Sequence, residues 1–306
     1  MENISERLKH FLKLEVHRGK VAFDVVNESD RGTYRELLIQ YRGRDRDVIP
    51  TFLLVPKRSR PCPAVLVHHQ HNGEWHIGKS EVAGHKGNSL QAFGPALAER
   101  GFVVLAPDSI CFEDRRHQKK GTEPDGDADW LQHFNEMSYR LVEGDTLMRK
   151  VLDDASFGLS LLMNAEGVDK SRIGVLGHSY GGNTAIFQAA VDERVRFVCS
   201  SGAVCSFRKK IEERTGLEMA LAVPGFCREF EIEDVVNAIA PRKLLIVSAT
   251  DDKYSKDADV IAANCKQRFA STDAANTLEH FRYSGGHALT QERFDAVLNW
   301  MEHIQA

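Results

Sequence analysis

The segment Arg172-Ile-Gly-Val-Leu-Gly-His-Ser-Tyr-Gly-Gly182 sets a serine between two glycines, as Gly177-His178-Ser179-Tyr180-Gly181. An apolar run precedes it and a helical stretch follows. A serine on so tight a strand-to-helix turn takes a strained backbone conformation, and the flanking glycines let the two segments approach closely. Such a turn exposes the hydroxyl at a helix N-terminus, whose partial positive charge favours a developing alkoxide. A dinucleotide fingerprint is disfavoured, because Gly174, Gly177, Gly181 and Gly182 do not keep the G-x-G-x-x-G spacing. A hydroxyl is a poor nucleophile until a base takes its proton, so the chain should also supply a histidine and an orienting carboxylate. Both follow, in the order Ser, Asp, His. The run from Leu244 ends in the adjacent acids Asp251 and Asp252, and Tyr283-Ser-Gly-Gly-His287 presents one histidine on a glycine turn before a last helix.

Other residues are candidates for shaping the site. His68, His69, His71, His76 and His85 crowd one region, and His71-Asn-Gly-Glu74-Trp75 falls one residue short of H-x-x-E-H, with Trp75 standing where the second ligand is required. Pocket-lining or structural histidines are therefore expected, and no metal. Arg115 or Arg116 would meet an acidic substrate group or form a solvated charge cluster. Trp75, Trp130, Phe134 and Tyr180 are candidates for an aromatic wall, with Trp130 and Phe134 alternatively anchoring their own loop.

The elements that must hold these groups are legible in the rhythm of the chain. Near-continuous apolar runs at 64–68, 102–106, 173–176, 195–199, 244–247 and 278–283 alternate with helical stretches at 88–99, 139–164, 181–191, 257–270 and 290–303. Runs apolar on both faces and spaced by helices predict buried parallel strands covered on both sides. In the long helix, Leu141, Met148, Leu152, Ala155, Leu159 and Leu162 recur at core-facing spacing. Ahead of this lie a helix near 4–14 and two β-like segments, 33–41 and 48–55, read as an antiparallel hairpin. The expected organisation is an N-terminal extension over 1–60 packed on a catalytic domain over 61–306, with lid-like loops near 109–138 and 203–236.

Composition limits the partners. Forty Lys and Arg against forty-four Asp and Glu in 306 residues leave no basic excess for nucleic acid. No apolar run approaches the roughly 20 residues that cross a bilayer, and the N-terminus lacks a signal-peptide pattern, so no membrane and a cytoplasmic location are expected. The six cysteines include no C-x-x-C pair and read as small buried hydrophobes. The N-terminal extension is of a kind that packs between subunits, which is compatible with a homo-oligomer.

From about residue 30 the chain resembles an α/β-hydrolase, and more narrowly the dienelactone hydrolase and acetyl xylan esterase-like branch. The likeness is carried by the Ser179 turn and by Pro63-Ala-Val-Leu-Val-His-His-Gln70, Gly78-Lys-Ser-Glu-Val-Ala-Gly84, Arg100-Gly-Phe-Val-Val-Leu-Ala-Pro-Asp108, Val168-Asp-Lys-Ser-Arg-Ile-Gly-Val175 and Ala240-Pro-Arg-Lys-Leu-Leu-Ile246. The resemblance implies an α/β fold with a mostly parallel central sheet, and cleavage of carboxylic esters through an acyl-enzyme without a cofactor. Dienelactone hydrolases carry cysteine at the turn, so serine favours the esterase side. In related loops the acid lies three residues after the small residue that follows the strand, here Ala249, which selects Asp252 over Asp251. The implied oxyanion donors are the amide of Tyr180 and one from the loop His69-Gln70-His71-Asn72-Gly73, where relatives resemble His-Gly-Gly and Gln70 replaces a glycine. His69, Trp75, Arg115 and Trp130 are the pocket candidates. The expected substrate is a small-molecule ester (an acylated sugar, a lactone or a natural-product ester), with a peptidase, a thioesterase or a silent binding protein as alternatives on the same fold.

Overall fold

The computed structural model describes residues 3–58, 61–270 and 277–305. Among them nine strands form one sheet: β1 (Phe23–Asp30), β2 (Tyr34–Arg42), β3 (Val48–Pro56), β4 (Cys62–His68), β5 (Val103–Pro107), β6 (Val168–His178), β7 (Phe197–Ser201), β8 (Lys243–Ala249) and β9 (Leu278–Tyr283). Their order is β1-β2-β3-β5-β4-β6-β7-β8-β9. The first three strands join β5 antiparallel, and every pairing from β5 through β4 to β9 is parallel. The helices are α1 (Ile4–Phe11), α2 (Lys79–Val82), α3 (Phe93–Glu99), α4 (Gly126–Val142), α5 (Leu147–Asn164), α6 (Tyr180–Val191), α7 (Phe207–Glu212), α8 (Phe226–Glu229), α9 (Ile232–Ile239), α10 (Ala258–Ala270) and α11 (Gln291–Gln305). No helix among the described residues is long and apolar enough to cross a membrane.

The inner strands β4, β5, β7 and β8 are mostly apolar because both faces are buried. Alternate residues serve opposite cores: Ala64, Leu66, Val103, Leu105, Leu244 and Ile246 pack with α1, α5, α6, α9 and α10, whereas Val65, Val67, Val104, Ala106, Leu245 and Val247 pack with α3 and α11. The strand β1 departs from this rule. It is an edge strand that exposes Val25 and Val26, and its polar sequence, FDVVNESD, carries no β signal strong enough to have been read. The expected hairpin is the β2–β3 pair, and through β3 it is continuous with the main sheet; residues 59 and 60, where the extension was expected to end, lie outside the described residues.

Two expectations are corrected. The helix read over 139–164 is two helices, parted where Gly144 takes φ +74° and Thr146 caps α5 by accepting from the Arg149 amide at 3.1 Å. The apolar stripe runs on across the break, which hid it. The stretches near 109–138 and 203–236 are not plain loops: α4 begins at Gly126, and α7, α8 and α9 occupy much of the second. Local caps account for the latter. Ser206 accepts from the Lys209 amide at the start of α7, and Glu231 with Asp234 makes a capping box at the start of α9.

Parallel strands all end at the same sheet edge, so whatever follows them converges there. Gly177 pairs with Ser200, Ser201 with Val247, and Ala249 with Tyr283. Ser179, Asp252 and His287 each come just after one of these strand ends.

Candidate active site

Ser179 has φ +56° and ψ −119°, a conformation that costs a side-chain-bearing residue on the order of 1–3 kcal/mol. The surrounding contacts enforce it. Its amide donates to Ser201 O at 2.8 Å, and the glycines on either side leave no room for substitution. A Cβ on Gly177 would lie 2.2 Å from the Gly181 carbonyl, and one on Gly181 would lie 2.1 Å from His68 O. Ser179 stands at the N-cap of α6 yet caps nothing. The positive φ turns its hydroxyl away from the helix amides, and it donates instead to His287 Nε2 at 2.8 Å.

The imidazole of His287 continues the line. With its proton on Nδ1 it donates to Asp252 Oδ1 at 3.0 Å. Asp252 is buried; its carboxylate also accepts from the Tyr254 amide at 2.9 Å and from Ser255 Oγ at 2.6 Å. Burial alone would push this carboxyl up, but the hydrogen bond and charge of His287, helped by Ser255 and Tyr254, hold it below the usual carboxylate value. Asp251 is exposed, and its amide donates to Gly285 O at 3.0 Å.

Two residues to which the sequence reading gave no role fix this histidine. Arg293, buried on α11, donates to the carbonyls of Gly286, Ala288 and Ser284 at 2.7, 2.9 and 2.8 Å, which clamps the turn from within. His178 lies against the His287 ring with centroids 5.0 Å apart. Its Nδ1 meets Ser201 Oγ at 2.9 Å, and burial, reinforced by the charge of His287, lowers its pKa to about 3, so it stays neutral there. Gly202, at φ +60°, makes the room: a Cβ would come 2.8 Å from His178 and 3.2 Å from His287. Nothing local marks Arg293 as a clamp, because its partners are backbone carbonyls that any sequence supplies.

The loop after β4 passes directly over α6, since Gly181 packs on the carbonyls of His68 and His69. That brings Gln70 and His71 beside the Ser179 turn. Tyr180 is the first residue of α6, where amides lack intrahelical acceptors. The Gln70 side chain points away from the serine, donating to Glu81 Oε1 at 3.0 Å and accepting from Gln91 at 3.3 Å. His71 lines the cavity, and burial, with the nearby charge of His69, lowers its pKa to about 4. His69 lies beneath, donating from Nδ1 to Gln70 O at 2.7 Å and accepting the Ser109 amide at 3.1 Å. Trp75 stacks edge-on to His71 at 4.6 Å and donates to His133 at 2.7 Å, so it braces the wall from behind. The Tyr180 ring is likewise buried, stacked on Phe112 at 5.5 Å with its hydroxyl 2.6 Å from Ser109 Oγ.

Arg115 and Trp130 do not reach the cavity. Arg115 is buried and spent on Asp47, on Asp154 at 2.8 Å and on Asp108 O at 3.0 Å; Arg116 grips Asp129 through two bonds of 2.7 Å. Their partners come from distant segments that no local pattern reveals. Trp130 is 45% exposed and stacks on Phe134 at 5.2 Å, the self-anchoring arrangement. Two clusters among the described residues have converging metal-type ligands, Asp108 with Glu113 and Asp114, and Cys111 with His117 and Glu136. The first already encloses the Lys79 ammonium, and neither draws on the histidines around residue 70.

The cavity over Ser179 has a volume of about 300 Å³. Its lining includes, besides Ser179 and His287, the polar residues His71, Asn183, Lys210 and Glu218 and the larger apolar faces of Leu217, Leu221 and Tyr254. Lys210 and Glu218 come from the 203–236 stretch and were not singled out in the sequence; Asn183 follows the serine by one helical turn, a spacing that points it to the same side.

The family model described as Acetyl xylan esterase (AXE1) matches residues 17–233. YtaP of Bacillus subtilis (strain 168), named as a candidate hydrolase, is 28% identical over 273 residues, covering 86% of this chain and 85% of that protein. Among solved structures, a candidate acetyl xylan esterase from Bacteroides fragilis NCTC 9343 superposes with a TM-score of 0.76 at 16% identity, over 92% of this chain and 73% of the other. The glucuronoyl esterase from Solibacter usitatus gives 0.70 at 17% identity, over 99% and 92%. At such identities these two structures speak for the α/β-hydrolase fold alone.

Proposed function

The chain belongs to the acetyl xylan esterase family, and on that premise we propose that it hydrolyses a small acylated-sugar ester with Ser179, His287 and Asp252 as its triad. His287 Nε2 takes the Ser179 proton as Oγ attacks the ester carbonyl. The carbonyl π pair moves onto oxygen, which the Tyr180 amide and an amide of Gln70 or His71 receive. When the intermediate collapses, the carbon–oxygen bond to the alcohol breaks and His287 returns the proton to the leaving oxygen. Water then repeats the sequence on the acyl-enzyme, releasing the acid and restoring Ser179. Asp252 keeps the imidazole proton on Nδ1 and stabilises the imidazolium.

The observation that carries this reading is the unbroken line from Ser179 Oγ through His287 to Asp252, at 2.8 and 3.0 Å. A cavity of about 300 Å³ lies at the lower end of ligand-binding pockets, matching one sugar ring with a short acyl group. The test is release of acetate from p-nitrophenyl acetate and from an acetylated xyloside, with fluorophosphonate labelling in parallel. Labelling and turnover in the wild type, both lost in Ser179→Ala with folding intact, are expected; equal activity in the two proteins overturns the reading.

A further inference from the structure

Lys210 is 2% exposed, and among the described residues its ammonium makes no hydrogen bond or ion pair; it meets only the Phe207 ring, at 5.6 Å. A buried cation without a partner is costly, and such groups are usually paired or neutralised. This one opens into the cavity over Ser179. Two residues that carry acceptors line the same space. Asn183 Oδ1 is buried and receives no hydrogen bond. Glu218, with its side chain 17% exposed, accepts only the Ala220 amide at 3.4 Å and stands 3.7 Å from His71 Nε2.

We propose that Lys210, Asn183 and Glu218 form the subsite that holds the hydroxyl groups of the substrate's sugar ring while Ser179 attacks its ester. A strong donor beside two acceptors is the complement of neighbouring hydroxyls, each of which both accepts and donates. An anionic substituent is a poorer fit. Asp257, Glu231 and Glu218 act on Lys210 electrostatically without pairing with it, and Glu218, its pKa raised to about 7 by burial, shares the cavity, so an incoming carboxylate would meet a carboxyl as well as the ammonium. Burial, the largest influence on Lys210, lowers its pKa, which is what an ammonium awaiting a ligand would show.

The subsite rests on Ser179 being the nucleophile, so its test separates binding from turnover. Binding of methyl β-xyloside is measured by calorimetry to Ser179→Ala and to the double variants that add Lys210→Met or Glu218→Gln. In the Ser179-intact background, kcat/KM is measured for a monoacetylated methyl xyloside, for p-nitrophenyl acetate and for mono-p-nitrophenyl succinate. Lys210→Met is expected to weaken xyloside binding and to lower the ratio of xyloside-ester to aryl-acetate kcat/KM by about 10-fold or more, mainly through KM, with a smaller fall for Glu218→Gln. An unchanged ratio and unchanged xyloside binding would overturn the proposal, as would a loss confined to the succinate ester, which would make Lys210 an anion reader. Should Ser179→Ala keep its turnover, the nucleophile is misassigned, and the calorimetry still decides whether the subsite exists.

Discussion

Of the three lysines that are almost wholly buried among the described residues, Lys79 and Lys210 are treated in opposite ways. Lys79 is held by Asp108 at 2.9 Å, by Asp114 at 2.6 Å and by Glu113. Burial would lower its pKa, but the charges of Asp108 and Glu113 outweigh that and raise it. Lys210 has no such partner, and its pKa falls. The same division separates the regions around them. The side of Asp47, Asp108, Asp129 and Asp154 closes its charges against Lys79, Arg115, Arg116 and Lys150, whereas the edge above Ser179 leaves an ammonium and a strained serine facing a cavity, with the buried amide oxygen of Asn183 unpartnered beside them among the described residues. Buried charge that is fully paired is scaffold; buried charge left open marks where a ligand completes the structure.

That contrast is broken most directly at the edge above Ser179. Ser179→Ala and Asp252→Asn should each lower ester turnover by roughly 10⁴-fold, while Asp251→Asn stays within about twofold, all read by initial rates on an aryl acetate. Comparable losses at Asp251 and Asp252 would reassign the acid. The next effect falls on the scaffold. Lys79→Met strands Asp108 and Glu113 without a counter-charge and should cost about 3–5 kcal/mol, whereas Lys210→Met removes an unpaired buried charge and should leave Tm unchanged or raise it. Parallel losses of Tm in the two variants would dissolve the distinction between the lysines.

A smaller effect is expected at Arg293, which positions His287 through carbonyls alone. Arg293→Gln should lower kcat by about 10-fold with KM little altered, because the histidine turn loosens by a fraction of the distances involved. The smallest effect concerns Glu81, which sits between the two kinds of charge: buried and hydrogen-bonded to Gln70 and the Asn88 amide, but in no ion pair among the described residues. Burial raises its pKa to about 7. Between about pH 4.5 and 7 the folded protein therefore keeps a proton that the unfolded chain has released, and stability falls as pH rises through that window. Chemical denaturation at both ends should show a drop to which Glu81 contributes about 1–3 kcal/mol, so that Glu81→Gln shrinks it while the buried carboxyls of Asp108 and Glu218, their pKa values also raised to about 7, keep the rest; an unchanged slope in the variant would place the titration elsewhere.

Much of this was legible from local pattern. The parallel strands announce themselves as continuous apolar runs, and the order serine, acid, histidine can be read because each stands in a short turn with its own grammar of glycines and acids, although the pattern alone left Asp251 and Asp252 open and the family resemblance chose between them. Groups defined by distant partners could not be read. Arg115 looked available to a substrate because nothing near it in the chain foretells Asp47 and Asp154. Lys210 and Glu218 were not singled out, because nothing near them in the 203–236 stretch marks them as lining a cavity. The start of α4 was hidden by Gly121 and Pro124 just before it and by Gly126 as its first residue, which suppress the helical signal there.

The close approach of Gly181 to His68 O bears on how this protein tolerates mutation. In a saturation library sorted for folding alone, before any substrate is offered, Gly177 and Gly181 should already be confined to one amino acid, while Lys210 and Glu218 accept many. Adding a selection for growth on an acetylated sugar should reverse the emphasis, narrowing the cavity positions and leaving the glycines where they were. The order in which positions lose their freedom would then record which residues the backbone demands and which the ligand demands.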